Sequence, residues 1–392
     1  MKRLLQVSFD TALLSLIPVL SWFMLSIIVD ENLINVFTLT YPIQFIYYMF
    51  KSVFSTGANI SKEKDKDSYA VGNGLIVGIL LALMVYGFIL INIDEYIIFM
   101  NMDVETYKIF AIYSVVQLYI QLVFNFVIEK LYYEEKNNVA NKYSIIFNLI
   151  NFSVLILTAL IFNNNYVIII LTLLSIFIYT IYILFKNMCK FNFKINVFKF
   201  LKYDSVNFSK HLLFFLIFLF GLKNATSYGL EYTNAITFIS LITDTQWDVI
   251  ESIKTLAAVD LSKGNFNYKK SQNDAYKLNF LLILSIIVMF FILYKNYNLN
   301  MGITTIFLLV EIINFIIYPI YTLKSIYLNL EYSYVKSTTN KVISNLLRMF
   351  LSFLKTPYCT LIGQIISSLY QFVSYEIMYK KAMRCKKWTL NY

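Results

Sequence analysis

The chain is 392 residues long, 59% hydrophobic and 14% charged, against about 25% charged residues in an ordinary soluble domain. Its mean hydropathy of +0.64 and its 18% aromatic content exclude a soluble globular fold and place it among polytopic membrane proteins. The formal net charge of +10 would suggest nucleic acid as partner in a soluble protein; here it reads as the lysine and arginine excess of loops on one side of a membrane.

Apolar runs long enough for about 20-residue helical spans follow one another along the whole chain. In order they are Thr11–Val29, Leu33–Phe54, Val71–Asn92, Tyr107–Ile128, Lys142–Phe162 and Tyr166–Phe185, then Val206–Leu222, Tyr232–Val259, Ala275–Tyr294, Met301–Thr322, Val342–Leu354 and Tyr358–Tyr379. The eleventh is short, and Asn345 and Arg348 interrupt it. No cleavable signal peptide is expected, because the first run is about 19 residues long and lacks a small-residue cleavage site.

Loop charge tests this map. With the N-terminus inside, lysines and arginines divide about 24 inside to 3 outside (Lys223, Lys295 and Lys355), while the outside loops carry Asp30, Glu31, Asp94, Glu95, Asp103 and Glu105. That asymmetry implies an even span count and both termini in the cytoplasm of a cell with a bacterial-type plasma membrane. The runs also repeat. Ser61-Lys62 recurs as Ser262-Lys263 and Asn141-Lys142 as Asn340-Lys341, at offsets of about 200 residues, and hydropathy agrees with that offset. The fold expected is all-α, with about twelve transmembrane helices in two six-helix bundles related as parallel pseudo-two-fold repeats. The bundles are assigned to residues 1–188 and 205–392. Between them, residues 189–204, which contain KFNFKINVFKFLKYD (Lys190–Asp204), read either as an amphipathic helix on the inner leaflet or as a solvated basic linker.

Several chemistries are missing. There is no GxxxxGK[ST] phosphate loop, so no ATP hydrolysis by that route, and no TVGYG filter. Cys189, Cys359 and Cys385 lack metal-site spacing and imply no disulfide framework. His211 stands alone and reads as a packed or interfacial side chain. No enzyme, metal site or cofactor is expected beyond a coupling ion.

The eighth run holds the sharpest feature. Asp244-Thr-Gln-Trp-Asp248 lies mid-way along it, and Glu251 follows one turn later. On a 3.6-residue helix Thr237, Ser240, Asp244, Asp248, Glu251 and Thr255 fall within roughly one 80° sector. Three ionised carboxylates facing lipid would cost about 8–10 kcal/mol on the lenient insertion scale, so they must border water or cations. They read as a cation or substrate site, with Trp247 beside them; the alternative is a structural polar network that uses Lys254. Glu311, mid-way along the tenth run, is the next candidate. Arg348 reads as its counter-ion or that of the acidic cluster, as an anion contact for a phosphate-bearing lipid, or as a snorkelling boundary residue. In the first half Gln117, Gln121 and Asn125 form a neutral stripe on the fourth run, and Asn148 and Asn151 another on the fifth. These amides line a cavity or bond helix to helix.

The stretch Phe54-Ser-Thr-Gly57-Ala-Asn-Ile60-Ser61-Lys, with the glycine-containing third run after it, resembles the multidrug and toxic compound extrusion (MATE) family, as does Ile98-Phe-Met-Asn-Met-Asp103-Val-Glu105 leading into Tyr107 and Tyr113. The basic linker and the terminal Lys386-Lys387-Trp388 fit as well. The likeness reaches to the wider superfamily that contains flippases for polysaccharides and lipid-linked oligosaccharides. It implies a V-shaped pair of six-helix bundles, a central cavity, alternating access, and export coupled to Na⁺ or H⁺. Unlike many members, this chain has no acid in its seventh run, and Asp30 is only a rough match for an aspartate of the first helix. The position of the acid low in the tenth helix falls near Pro319, with Glu311 about two turns away.

Three functions are consistent with these residues. The first is a secondary transporter exporting small, amphipathic, cationic compounds under a Na⁺ or H⁺ gradient. The second is a flippase for a lipid-linked glycan, for which Arg348, Lys51 and Lys254 are the few basic candidates within the spans. The third is a non-transporting membrane subunit.

Overall fold

The computed structural model describes residues 16–187, 190–192, 197–262, 267–297, 299–328 and 333–389, and among them every regular element is helical. The chain opens with α1 (Leu16–Ile28). A 3-10 turn at Glu31–Asn35, capped by the Asp30 carboxylate accepting from the Asn32 N–H at 2.8 Å, leads into α2 (Val36–Phe50). No break follows, because a π-helical segment, Lys51–Gly57, joins α2 to α3 (Ala58–Asp65). The second span therefore outruns the apolar stretch that ends at Phe54. Lys62 and Lys64 suit the negative end of the helix, and Lys66, left-handed at φ 55°, stops it.

There follow α4 (Ala70–Ile91), α5 (Ile93–Phe99), α6 (Val104–Tyr133), α7 (Asn137–Ile161) and α8 (Asn165–Lys186). Helix α5 replaces what the sequence presents as an acidic loop. Asp94 and Glu95 sit in its first turn, where the helix end favours anions; Ile97 is buried, and the Tyr96 hydroxyl donates to the Leu39 carbonyl at 2.6 Å. Helix α9 (Val197–Thr226) kinks at Asp204 (φ −132°, ψ 29°). Its first turns are the basic linker and the rest is the seventh span. The chain continues through α10 (Leu230–Ser262), α11 (Tyr268–Leu293), α12 (Met301–Tyr327), α13 (Tyr334–Ser352) and α14 (Cys359–Thr389).

Each of the apolar runs thus coincides with a helix, for the first run in its described part. Among the described residues eight helices are long and apolar enough to cross a membrane by length and composition, and the chain is a multi-pass membrane protein. Helices α10, α13 and α14, at 33, 19 and 31 residues, are long enough but carry polar side chains where a hydropathy window sees only cost. The eleventh element begins well before Val342. Ser333 caps it, its hydroxyl accepting from the Lys336 N–H at 3.3 Å, and its polar face is paired. The Asn340 amide donates to Ser374 Oγ at 2.7 Å, the Gln371 amide to Ser344 Oγ at 2.8 Å, and the Ser344 hydroxyl to the Ser367 carbonyl at 3.2 Å. Such pairing holds helices together where lipid tails give no hydrophobic drive.

Contacts divide the chain into two compact units, residues 20–227 and residues 228–392, the described residues 16–19 grouping with the latter. The packing boundary falls one helix later than the linker at 189–204, because α9 packs on α2: Phe218 stacks on Phe45 at 5.1 Å and meets Tyr41 edge-on at 4.8 Å. Within the first unit α6 is central. Its Ile120, Phe124, Val127, Ile128 and Leu131 pack against Phe147 of α7 and Ile183 of α8, and Phe124 stacks on Phe147 at 4.5 Å.

The described parts of the linker are hydrogen-bonded to the bundle while many of their side chains stay exposed. Asn192 and Asn73 exchange two hydrogen bonds of 2.8 Å. Lys199 Nζ lies 3.1 Å from Asp65, to which the Tyr203 hydroxyl also donates at 2.8 Å. Asp204 accepts from the Ser52 hydroxyl and from the Asn207 amide. Gly57 is required here, since a Cβ at that position would strike the carbonyl of Phe200.

Candidate functional site

In the unit of residues 228–392, α10 and α12 bring two sequence candidates together. The Trp247 indole N–H donates to Glu311 Oε2 at 3.1 Å, while the same indole stacks on Phe315 at 4.3 Å and meets Tyr318 edge-on at 5.3 Å. Glu311 also hydrogen-bonds Gln364 of α14 and feels the positive charge of Arg348 on α13. Gly363 makes room for that arginine; a Cβ there would lie 3.3 Å from Arg348 Cγ and from the Arg348 carbonyl.

Pro319 explains the placing of Phe315. Proline has no N–H, so the carbonyl four residues earlier, that of Phe315, loses its intrahelical donor. The Asn279 side chain of α11 supplies a replacement, donating to that carbonyl at 2.6 Å. A backbone defect in α12 is thereby repaired from the neighbouring helix, one turn below the carboxylate.

Asp244 and Asp248 sit one turn apart on the adjacent sector of α10. Asp244 is partly buried and Asp248 exposed, and each carboxylate repels the other. Gln246 points away from them, its amide donating to Ser285 Oγ at 3.3 Å. The side chains of Glu251 and Lys254 lie outside the described residues.

In the unit of residues 20–227 the amide stripes have separate duties. Asn151, buried on α7, accepts from the Tyr113 hydroxyl of α6 at 3.2 Å, and Trp22 meets Tyr113 edge-on at 6.1 Å. Asn148 is buried one turn before it. Asn125 donates to its own helix at the Gln121 carbonyl, 3.0 Å away, whereas Gln117 and Gln121 are partly exposed. Asn151 thus ties helix to helix, Asn125 is spent within α6, and both glutamines stay accessible.

Sequence reasoning missed Gln364, Asn279 and Tyr113 as partners. A signal for the first existed: Gln364, Ser367, Gln371 and Ser374 recur at spacings of 3, 4 and 3 along the twelfth span, one helical face of polar groups.

No protein-family model matches the chain, and no curated relative does. Solved structures match it along nearly its whole length. An inward-facing multidrug resistance MATE family transporter of the MOP superfamily is 13% identical at a TM-score of 0.68, covering 95% of this chain and 96% of that one. The chain has the MATE fold. A MATE in the straight conformation is 12% identical at TM-score 0.64, covering 97% of this chain and 96% of its own. A MOP superfamily transporter from Pyrococcus furiosus, described as having a binding pocket of reverse polarity that suggests a different function, is 13% identical at 0.61, with 97% and 96% covered. On this MATE fold, Trp247, Glu311, Arg348 and Gln364 come from the eighth, tenth, eleventh and twelfth spans.

Proposed function

We propose that the chain is a secondary active transporter of the inner plasma membrane, with both termini cytoplasmic. It exports small amphipathic cations by alternating access, coupled to Na⁺ or H⁺ and without ATP or enzymatic chemistry. The observation that carries this reading is the Glu311 carboxylate. It is held mid-span by a tryptophan N–H and an amide against one arginine, beside a second, partly exposed pair of acids, Asp244 and Asp248. An intramembrane carboxylate with a named partner is a functional group by default, because lipid would not tolerate it. Two further carboxylates and one arginine leave net negative charge next to the aromatic faces of Trp247, Phe315 and Tyr318, which suits a lipophilic cation through charge and cation–π contact.

The MATE fold supports the class of protein. Its neighbours are described as multidrug resistance transporters, and cation export is carried to this chain from its own acids.

A lipid-linked glycan flippase is the second reading, motivated by Arg348 within the spans. It needs basic side chains to receive a pyrophosphate. Arg348 is engaged with Glu311 and Lys51 pairs with Glu129 at 2.8 Å, so these cations are already balanced by acids and the reading is weaker. The test is uptake and efflux by reconstituted vesicles. Gradient-driven movement of fluorescent organic cations supports export; movement of a labelled lipid pyrophosphate, with none of the cations, would replace it by flipping.

A further inference from the structure

The first unit also carries an ion pair at the inner ends of the second and fourth spans, at a place the amide stripes do not mark. Lys51 Nζ and Glu129 Oε1 lie 2.8 Å apart, their side chains 29% and 19% exposed. Lys51 opens the π-helical segment of the second span, and Glu129 sits about one turn before the end of α6. Two observations set this pair apart. Single π-turns within α-helices are rare and gather at functional sites, and this one begins on the charged residue itself. A comparable pair at the inner end of the tenth span, Lys324 with Glu376, is clamped by a second lysine, Lys380, at 3.2 Å. Glu129 has only Lys51 among its described ion pairs.

We propose that Lys51–Glu129 is a second cation-exchange site, at which a proton or a sodium ion from water displaces the Lys51 ammonium from the Glu129 carboxylate. The inference rests on the coupled-transport reading above. Lys51 acts as a tethered cation that occupies the acid whenever the transported cation is absent. In the proton case a proton adds to a Glu129 carboxylate oxygen, the ion pair opens, and the ammonium keeps its three protons. The net charge of the pair rises by one. In the sodium case the metal ion takes the place of the ammonium with the same change in charge. Both side chains are partly exposed. The titratable groups around the pair are Tyr47 and Tyr48 on its own helix and Tyr132 of α6. From α9, packed on the same segment, come Asp204, bonded to Ser52, and His211, stacked on Tyr48 at 5.3 Å. Gly74 and Gly78 of α4 close the remaining side against Phe54. An ammonium that swings off Glu129 while the π-turn relaxes into α-helix would link cation binding to the register of the second span.

The experiment uses the full chain in lipid nanodiscs and records infrared difference spectra, first on acidifying without Na⁺, then on adding Na⁺ at alkaline pH. Wild type is expected to show a carboxyl signal in one arm that Glu129→Gln abolishes; the arm in which it appears names the ion. Proteoliposomes give the second readout. Gradient-driven efflux should fall to the level of empty vesicles in Glu129→Gln. The double variant Lys51→Met/Glu129→Gln covers the case in which a lone lysine unfolds the bundle, and it should lose coupling as well while staying folded. No Glu129 signal in either arm, or wild-type coupled efflux by the folded double variant, overturns the exchange site and leaves the transport reading standing. Wild type that moves no substrate under either gradient overturns the transport reading instead.

Discussion

Trp247 does two things at once: its N–H holds Glu311 and its ring covers Phe315. Phenylalanine would keep the stacking and lose the bond. Trp247→Phe should therefore destabilise the protein by about 0.6 kcal/mol, the average for interhelical side-chain hydrogen bonds in membranes, and by no more than about 1.7 kcal/mol, read by denaturant unfolding in mixed micelles. Arg348→Gln should do more harm, since it leaves a carboxylate at membrane depth without its cation. At this scale the sequence is a good guide to ionisable groups and a poor one to their partners. Asp244, Asp248 and Glu311 stand out because charge in an apolar run is costly. Asn279 does not, because amides are frequent in spans and the bond that gives it meaning is made 36 positions away; Gln364 is marked only by the polar face it shares with Ser367, Gln371 and Ser374.

Two aspartates near the linker make opposite predictions with pH. Burial pushes the Asp204 carboxyl above the usual aspartate range, against the hydrogen bonds from Ser52 and Asn207 that pull it down. Its folded form then holds a proton that the unfolded form has lost, so its contribution is present in acid and declines as pH rises through the raised value. Asp65 is held low by the Tyr203 hydroxyl and by Lys199. Its contribution is present above the ordinary aspartate range and is lost as pH falls through the lowered value. Amide exchange of residues 197–203 should report both trends. Asp204→Asn should remove the weakening on the alkaline side, and Asp65→Asn the weakening in acid.

Among the elements, α12 and the linker show what local sequence hides. Proline in the tenth span is visible in the sequence, and a kink follows from it, but the repair by Asn279 depends on how α11 packs. Asn279→Leu should leave the Phe315 carbonyl without a donor at a cost of about 1–3 kcal/mol. The double variant Asn279→Leu/Pro319→Ala should recover much of that loss, because alanine restores the intrahelical N–H. Recovery in thermal unfolding is the check. Gly57, read in the sequence only as part of a family-like turn, proves to be the contact point for the Phe200 carbonyl. Gly57→Val should overpack that contact by about 1–3 kcal/mol and expose the linker to protease. Helices α5 and α13 escaped full recognition for one reason: their polar residues are satisfied by caps and neighbours, and a hydropathy reading cannot see satisfaction.

For the whole molecule, composition and hydropathy sufficed for an all-helical membrane protein, and the resemblance for the MATE fold, since both depend on sums over many residues. The repeat assigns the seventh span to the second half, and its aromatic face packs on α2. The central claim is that carboxylates within the spans convert a cation gradient into export. It is tested most directly by proteoliposomes loaded with a fluorescent organic cation, on which a Na⁺ or H⁺ gradient is imposed, comparing wild type with Glu311→Gln and with Asp244→Asn/Asp248→Asn. Efflux that follows one gradient in wild type and vanishes in both folded variants is the predicted result; efflux at the wild-type rate in those variants would contradict it.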